Sequence, residues 1–130
     1  MASTGTWDAA GRETLIENRD KNGVGQFIAT NTYSAVNNRI GVLELDGTIC
    51  TVGYDAKSQL TSEARSGANA YNTSLVYDPN GNQVKRYDSG ALTQYTVNAA
   101  NELLVMAPPT GANTTNLFDA NGNLTVSTTG

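Results

Sequence analysis

The chain has 130 residues, of which 38% are apolar, and its formal net charge is −4. It contains no histidine and one cysteine, so the commonest general base is missing and neither an internal disulfide nor a cysteine-based metal site can form in the monomer. The acidic balance argues against a nucleic-acid partner, because phosphate binding needs a basic face. These features favour a thin, turn-rich β structure without enzymatic activity.

The first segment of the chain is polar, and no run of about 18 apolar residues occurs anywhere, so we expect no membrane insertion and find no signal peptide. The chain is therefore expected to be either cytoplasmic or a piece of something larger whose signal lies elsewhere. Residues 12–17 have the best helical periodicity, but Gly11 precedes them and Thr14 and Ile16 favour a strand, which is the prediction.

Residues 20–25, Asp-Lys-Asn-Gly-Val-Gly, are similar to the opening of a calcium-binding loop. An EF-hand needs an oxygen ligand at the fifth position and a bidentate glutamate at the twelfth, where this chain has Val24 and Asn31. The segment is interpreted as a turn, and no metal is expected there.

Asp46-Gly47 predicts a two-residue type I′ hairpin turn between two strands. Such a turn pairs Leu45 with Thr48, Glu44 with Ile49 and Leu43 with Cys50. The two-residue period of a strand then places five side chains on one face: Leu43, Leu45, Cys50, Val52 and Tyr54. Cys50 is interpreted as a small buried apolar residue and not as a reactive thiol.

A degenerate segment, aromatic-Asp-x-x-Gly/Asn-x-aliphatic, recurs along the whole chain. The steps between copies are 26, 21, 23, 20 and 21 residues. The copies start near Trp7, Tyr33, Tyr54, Tyr77, Val97 and Phe118, and the second and fifth are the weaker ones. A period in this range is typical of an architecture that stacks one supersecondary unit many times.

Four copies carry an aspartate directly after the aromatic residue: Asp8, Asp55, Asp78 and Asp119. An aspartate at the start of a turn can accept backbone N–H bonds from the residues that follow, and Gly or Asn adopts left-handed conformations at low cost. We predict that these aspartates brace turns and belong to no ligand site. Strands resume after each turn, and Pro108-Pro109 followed by Gly111 predicts a loop.

Residues 52–63, 75–82 and 116–125 resemble the repeat of the YD-repeat, or Rhs-repeat, family, and glycines 67, 90 and 111 fall between copies as in that family. The resemblance covers essentially the whole chain. It implies an all-β fold, an antiparallel β-ribbon or solenoid of about six YD repeats, in a single domain over residues 1–130. Family ribbons spiral into hollow shells in Rhs toxins, toxin complexes and teneurins. Six repeats are too few to close a shell, so an open ribbon is expected.

The family also contains a self-cleaving segment that begins Asp-Pro-x-Gly-Leu. Residues 78–81, Asp-Pro-Asn-Gly, imitate its start, but Asn82 stands where the family has Leu. These residues are interpreted as an ordinary repeat turn.

The resemblance implies a non-enzymatic structural module without cofactors, a fragment or relative of a large shell or surface protein that encloses or displays other domains. It also implies an extracellular or cell-surface location. The alternative is a carbohydrate-binding or adhesion module, because aromatic rings recur with repeat spacing and could stack on sugars or pack between strands. The candidate rings are Tyr71, Tyr77, Tyr87, Tyr95 and Phe118.

The last predicted strand, residues 124–128, has no charged residue and no proline. An open strand edge with this composition invites pairing with another strand. We therefore expect a homo-oligomer or a fibre that forms through β-edges, with a symmetric dimer as the closed form and a head-to-tail fibre as the open one.

Overall fold

The computed structural model describes residues 2–130, in which twelve β-strands and no helix are found. The predicted all-β, antiparallel fold is confirmed. The strands are β1 (Ala2–Trp7), β2 (Glu13–Arg19), β3 (Gly25–Tyr33), β4 (Arg39–Glu44), β5 (Ile49–Tyr54), β6 (Leu60–Arg65), β7 (Tyr71–Tyr77), β8 (Gln83–Asp88), β9 (Ala91–Val97), β10 (Leu103–Ala107), β11 (Thr114–Phe118) and β12 (Leu124–Thr129).

The chain divides into two compact units, Met1–Tyr71 and Asn72–Gly130, which we call unit 1 and unit 2. Within each unit the strands lie in sequence order, and each is antiparallel to the next. The weak helical segment at residues 12–17 leads into β2, so its prediction as a strand is confirmed. The assignment of all 130 residues to one domain stays a prediction.

One kind of turn makes eight of the strand connections in residues 2–130. In the turn at Asp8, the start residue donates its N–H to the Arg12 carbonyl (2.9 Å) and accepts the N–H of Gly11 (3.0 Å), whose φ is 75°. This is a three-residue hairpin loop made of a type I turn and a left-handed residue. The start residues are Asp8, Asp20, Ser34, Glu44, Asp55, Asp78, Asn98 and Asp119. The left-handed residues are Gly11, Gly23, Asn37, Gly47, Ser58, Gly81, Asn101 and Gly122.

The prediction of a two-residue type I′ turn at Asp46-Gly47 is wrong. That turn needs positive φ at both central residues, but only Gly47 has it (83°), so the loop contains three residues, from 45 to 47. The pairs are therefore Leu43 with Ile49 and Val42 with Cys50.

The shifted register also changes the faces of β4 and β5. Residues directly opposite each other share a face, so Leu43 and Cys50 lie on opposite faces, and Leu45 belongs to the loop. The predicted common face of Leu43, Leu45, Cys50, Val52 and Tyr54 is wrong for this reason. Cys50 is half-buried.

Six turns join an odd-numbered strand to the following even-numbered one, and we call them the repeat turns. Because the strands alternate in direction, the repeat turns of one unit form a row along one end of its strands. Their start residues are Asp8, Ser34 and Asp55 in unit 1 and Asp78, Asn98 and Asp119 in unit 2. Gly67, Gly90 and Gly111 follow β6, β8 and β10 and have positive φ (86°, 91° and 90°).

The register between successive repeat turns is constant. The seventh residue after one start residue lies opposite the fourth residue before the next start residue. The pairs are Leu15 with Thr30, Gly41 with Thr51, Lys85 with Gln94 and Val105 with Thr115. One repeat unit is therefore added with the same geometry each time, although the sequences of the copies differ.

Little of the chain is buried. Of the described residues, Ala29 is the buried apolar one, and Asn31 and Thr48 are buried polar ones; all three lie in unit 1. Large apolar side chains such as Leu43, Ile49 and Leu117 are about half exposed. Backbone pairing and turns, more than a thick core, hold the sheet of each unit together.

Candidate functional site

The row of repeat turns at one end of the strands is the most regular polar feature of the molecule. The four aspartates of the repeat motif each accept the backbone N–H of the fourth residue after them on Oδ1. The donors are Arg12 for Asp8 (3.0 Å), Gln59 for Asp55 (2.9 Å), Asn82 for Asp78 (2.9 Å) and Asn123 for Asp119 (2.9 Å). The geometry fits a bracing role, and the stability that these bonds contribute stays a prediction.

Three further start residues brace their turns in the same way, and the sequence analysis missed them. Oδ1 of Asp20 accepts the N–H groups of Asn22 (2.8 Å) and Val24 (2.9 Å), and Oδ1 of Asn98 accepts those of Ala100 (2.9 Å) and Glu102 (3.0 Å). Oγ of Ser34 accepts the Asn38 N–H at 3.2 Å. The signal in the sequence was an Asp, Asn or Ser three residues before a Gly or Asn, which does not require the aromatic residue.

Three of the bracing carboxyls, those of Asp8, Asp78 and Asp119, have a lowered pKa. The Arg12 side chain, which donates to Asp8, holds the pKa of that carboxyl below its usual value. The side-chain amides of Asn82 and Asn123 do the same for the pKa of Asp78 and of Asp119. A carboxylate in a site for acid catalysis needs a raised pKa, so these groups are poor general acids.

Side chains also connect neighbouring repeat turns within each unit. The residue that follows the left-handed residue, which we call the exit residue, reaches the left-handed residue of the next repeat turn. Arg12 Nη1 donates to Asn37 Oδ1 (3.0 Å), Asn38 Nδ2 donates to Ser58 Oγ (3.1 Å), and Asn82 Nδ2 donates to Asn101 Oδ1 (2.8 Å). We call this series of bonds the turn ladder.

The ladder continues without a hydrogen bond at the last step of unit 2. There the left-handed residue is Gly122, which has no side chain, and an added Cβ would lie 3.2 Å from Oε1 of the exit residue Glu102. The turns are thus stacked closely even where no donor and acceptor face each other. The polar groups of the repeat turns bind one another, so they align neighbouring turns.

The candidate stacking aromatics do not form one row. In unit 2 the strand pairing places Tyr77, Tyr95 and Phe118 on one face, where all three are half-buried. Tyr87, opposite Ser74, is on the other face. Tyr71 belongs to unit 1, where it is 40% exposed.

A second polar cluster lies in unit 1 around β4 to β6. Arg65 donates to both carboxylate oxygens of Glu44 (2.5 and 2.7 Å). Glu63 Oε1 accepts the Tyr71 hydroxyl (2.5 Å), which raises the pKa of Tyr71 to about 12, and lies 3.7 Å from Cys50 Sγ. Burial, with the nearby Glu63 charge, raises the pKa of the Cys50 thiol. Neither the phenol nor the thiol is activated as a nucleophile at neutral pH.

Two further features of residues 2–130 bear on the class of site. No group of three or more His, Cys, Asp or Glu side chains is placed to hold a metal ion. No helix in this part of the chain is long and apolar enough to cross a membrane.

Solved structures of much larger chains share this fold. Matches include the crystal structures of TcdB2-TccC3-Cdc42 (15% identity, TM-score 0.68), TcdB2-TccC3 (14%, 0.72) and TcdB2-TccC3-TEV (15%, 0.65). They cover 98%, 95% and 98% of this chain. No protein-family model and no curated protein matches the sequence.

The chain spans less than a tenth of these structures, since the matches cover 9%, 7% and 9% of their lengths. They are toxin-complex chains of the Rhs/YD-repeat kind. At 14 to 15% identity the likeness establishes the fold. The fold implied by the resemblance to the YD-repeat family is therefore confirmed.

Proposed function

We propose that this chain is a non-enzymatic, self-assembling structural module, a YD-repeat β-ribbon that is a fragment or a relative of a large shell or surface protein that encloses or displays other domains. The observation that carries the proposal is the constant repeat geometry, in which one turn and one register recur while the side chains between them vary. An active site needs particular groups at one place, whereas a ribbon needs the same backbone geometry at every step.

The comparison in length supports this role. Almost the whole chain matches less than a tenth of each larger chain, as expected if the matched part is a repeated building element. The extracellular or cell-surface location and the pairing through β-edges are parts of the same proposal. They rest on the resemblance and on the uncharged terminal strands.

A graft tests the module directly. The segment of the TcdB2-TccC3 chain that matches this chain is replaced by residues 2–130, and the particles are imaged by electron microscopy. A continuous wall is expected, because the backbone geometry of the two segments agrees. A matched control carries Gly81→Val and Gly122→Val, which strain the left-handed positions of two repeat turns. A grafted segment that is folded but leaves a gap in the wall would contradict the proposal.

One observation favours the carbohydrate-binding alternative. Tyr77, Tyr95 and Phe118 lie on one face of unit 2 on alternate strands, which are about 10 Å apart, and Tyr95 is two residues further from its start residue than the other two are from theirs. This distance suits stacking on separate sugar rings of one glycan. On a glycan array, Tyr95→Ala should then abolish binding while Tyr87→Ala, on the opposite face, should not. Equal binding by both variants would remove this alternative.

A further inference from the structure

Two strands have a partner on one side only. In residues 2–130, β1 pairs with β2 alone and β12 pairs with β11 alone. Each has six residues, without charge and without proline. All six residues of β12 are exposed. Nothing in either strand resists the addition of another strand.

The backbone groups that face outward on β12 can be assigned. Gly130 donates its N–H to the Asn113 carbonyl of the β11 side (3.3 Å), and bonded and non-bonded pairs alternate along an antiparallel ladder. Val126 and Thr128 therefore bond β11, and the N–H and C=O groups of Ser127 and Thr129 face the free edge.

The same argument applies to β1. The bond from the Asp8 N–H to the Arg12 carbonyl sets the alternation, so Thr4 and Thr6 bond β2. The backbone groups of Ser3 and Gly5 then face outward. Odd-numbered and even-numbered strands run in opposite directions. A β1 strand placed beside β12, with the repeat turns of both at the same end, therefore runs antiparallel to β12, as all neighbouring strands in each unit do.

The constant register predicts how the two edges fit. The seventh residue after the start residue Asp119 is Val126, and the fourth residue before the start residue Asp8 is Thr4. With Val126 opposite Thr4, Ser127 lies opposite Ser3, so the outward-facing backbone groups of both strands meet. Val126 and Thr4 bring exposed side chains to the same side of the joint.

We propose that the β12 edge binds the β1 edge of a second copy of this chain, head to tail, with Val126 opposite Thr4 of that copy. This rests on the proposed structural role and names the partner and the register of the association. The joint reproduces the register that β2 and β3, β4 and β5, β8 and β9, and β10 and β11 already have. It therefore continues an interface that the molecule uses four times.

The end of the turn ladder is compatible with the same occupant. Asn82 and Asn123 are exit residues that both donate Nδ2 to their own start aspartate (2.9 and 3.0 Å). Asn82 also donates to Asn101 in the next repeat turn, whereas among residues 2–130 Asn123 donates only within its own turn. A second copy would place Gly11, the left-handed residue of its turn at Asp8, next to Asn123, as Gly122 lies next to Glu102, so the turns would stack there without a ladder hydrogen bond.

Disulfide trapping tests the register. In a Cys50→Ser background, Thr4→Cys and Val126→Cys variants are made as separate proteins, mixed in equal amounts and oxidised with diamide. Thr4 and Val126 would form a non-hydrogen-bonded pair, whose close side chains suit a disulfide. The mixture should give a cross-linked heterodimer. The control mixture of Thr4→Cys with Thr128→Cys, two residues away on the same face, should cross-link at least about tenfold more slowly.

A second variant is designed to block strand pairing at the free edge of β12 while the fold stays intact. Ser127→Pro deletes an outward N–H that β11 does not use, so it should abolish the cross-link while circular dichroism stays unchanged. Cross-linking of Val126→Cys with itself would indicate a symmetric β12 to β12 dimer and overturn the head-to-tail register. Monomers that never cross-link would overturn the inference, while an intact wall in the graft would leave the structural role standing.

Discussion

Unit 1 and unit 2 have the same turn and the same register but differ in what lies between the strands. Unit 1 contains the three buried residues and two partly buried ion pairs, Asp8 with Arg12 and Glu44 with Arg65. Unit 2 has no buried residue among Asn72–Gly130, and its ion pair between Arg86 and Asp88 is exposed. The turn and the register therefore do not depend on a buried core, because both form in unit 1, which has buried residues, and in unit 2, which has none among Asn72–Gly130.

Equivalent repeat positions allow the units to be compared pair by pair. Ala29 lies five residues before the start residue Ser34, and Thr114 lies five before Asp119. Ala29 is 5% exposed and Thr114 is half-buried. The substitutions below use such pairs, so that the turn geometry is held constant and the surroundings differ.

The largest difference is expected at this position. Ala29→Leu adds volume to a closed site and should lower the free energy of unfolding by about 1 to 3 kcal/mol. Thr114→Leu in the more open site should change it by no more than about 0.5 kcal/mol. Urea denaturation measures both. Equal losses would mean that unit 1 is no more tightly packed than unit 2.

A smaller difference is expected for one hydrogen bond that both units contain. Asn31 Nδ2 donates to the Glu13 carbonyl and Asn116 Nδ2 donates to the Leu103 carbonyl, both at 3.0 Å. Asn31→Ala should lower the free energy of unfolding by about 1 to 2 kcal/mol, because Asn31 is buried, and Asn116→Ala by about 0.5 to 1 kcal/mol. A larger loss for Asn116 in urea denaturation would contradict the comparison.

The turn ladder should contribute less than these interior groups. Asn82→Ala removes the side-chain bonds to Asn101 and to Asp78, whereas Asn123→Ala removes only side-chain bonding to Asp119. The difference between the two variants should be about 0.5 kcal/mol, the low end for one exposed hydrogen bond. If urea denaturation gives the same loss for both, the ladder bond adds no stability.

The smallest effect concerns the charge of the braces. The pKa of Asp8 and the pKa of Asp78 are both lowered from 3.8, the first chiefly by Arg12 and the second chiefly by the Asn82 amide. Each carboxylate therefore stabilises the fold above the unfolded pKa, and the contribution is lost as the pH falls through the folded pKa. Because only Asp8 has a charged partner, added salt should raise its pKa more than that of Asp78. Titration by NMR at low and high salt checks this order.

The repeat motif predicted the fold because each copy contains its own turn. Asp8, Asp55, Asp78 and Asp119 stand three residues before a residue with positive φ, and both features depend on local sequence alone. The turns at Asp20, Ser34 and Asn98 have the same local form, but the motif of an aromatic residue followed by an aspartate does not include them.

The hairpin at residues 44–48 shows where local reasoning failed. Asp46-Gly47 suits a type I′ turn, yet Asp46 accepts the Thr48 N–H at 2.8 Å inside a three-residue loop. The pair Gly41 with Thr51 keeps the register that the other three joints of this kind have. Pairing over the length of both strands involves more hydrogen bonds than the turn, so the strand register determines the length of the loop.

The sequence by itself determined that the chain is all-β, where most of its turns lie and that about six repeats follow one another, because left-handed residues and bracing side chains act within five residues. Only the tertiary structure decided the register, the faces of the tyrosines, the burial of Asn31 and the turn ladder. These features join residues about 20 positions apart whose identities vary from copy to copy, so their contacts depend on strand pairing that no single copy encodes.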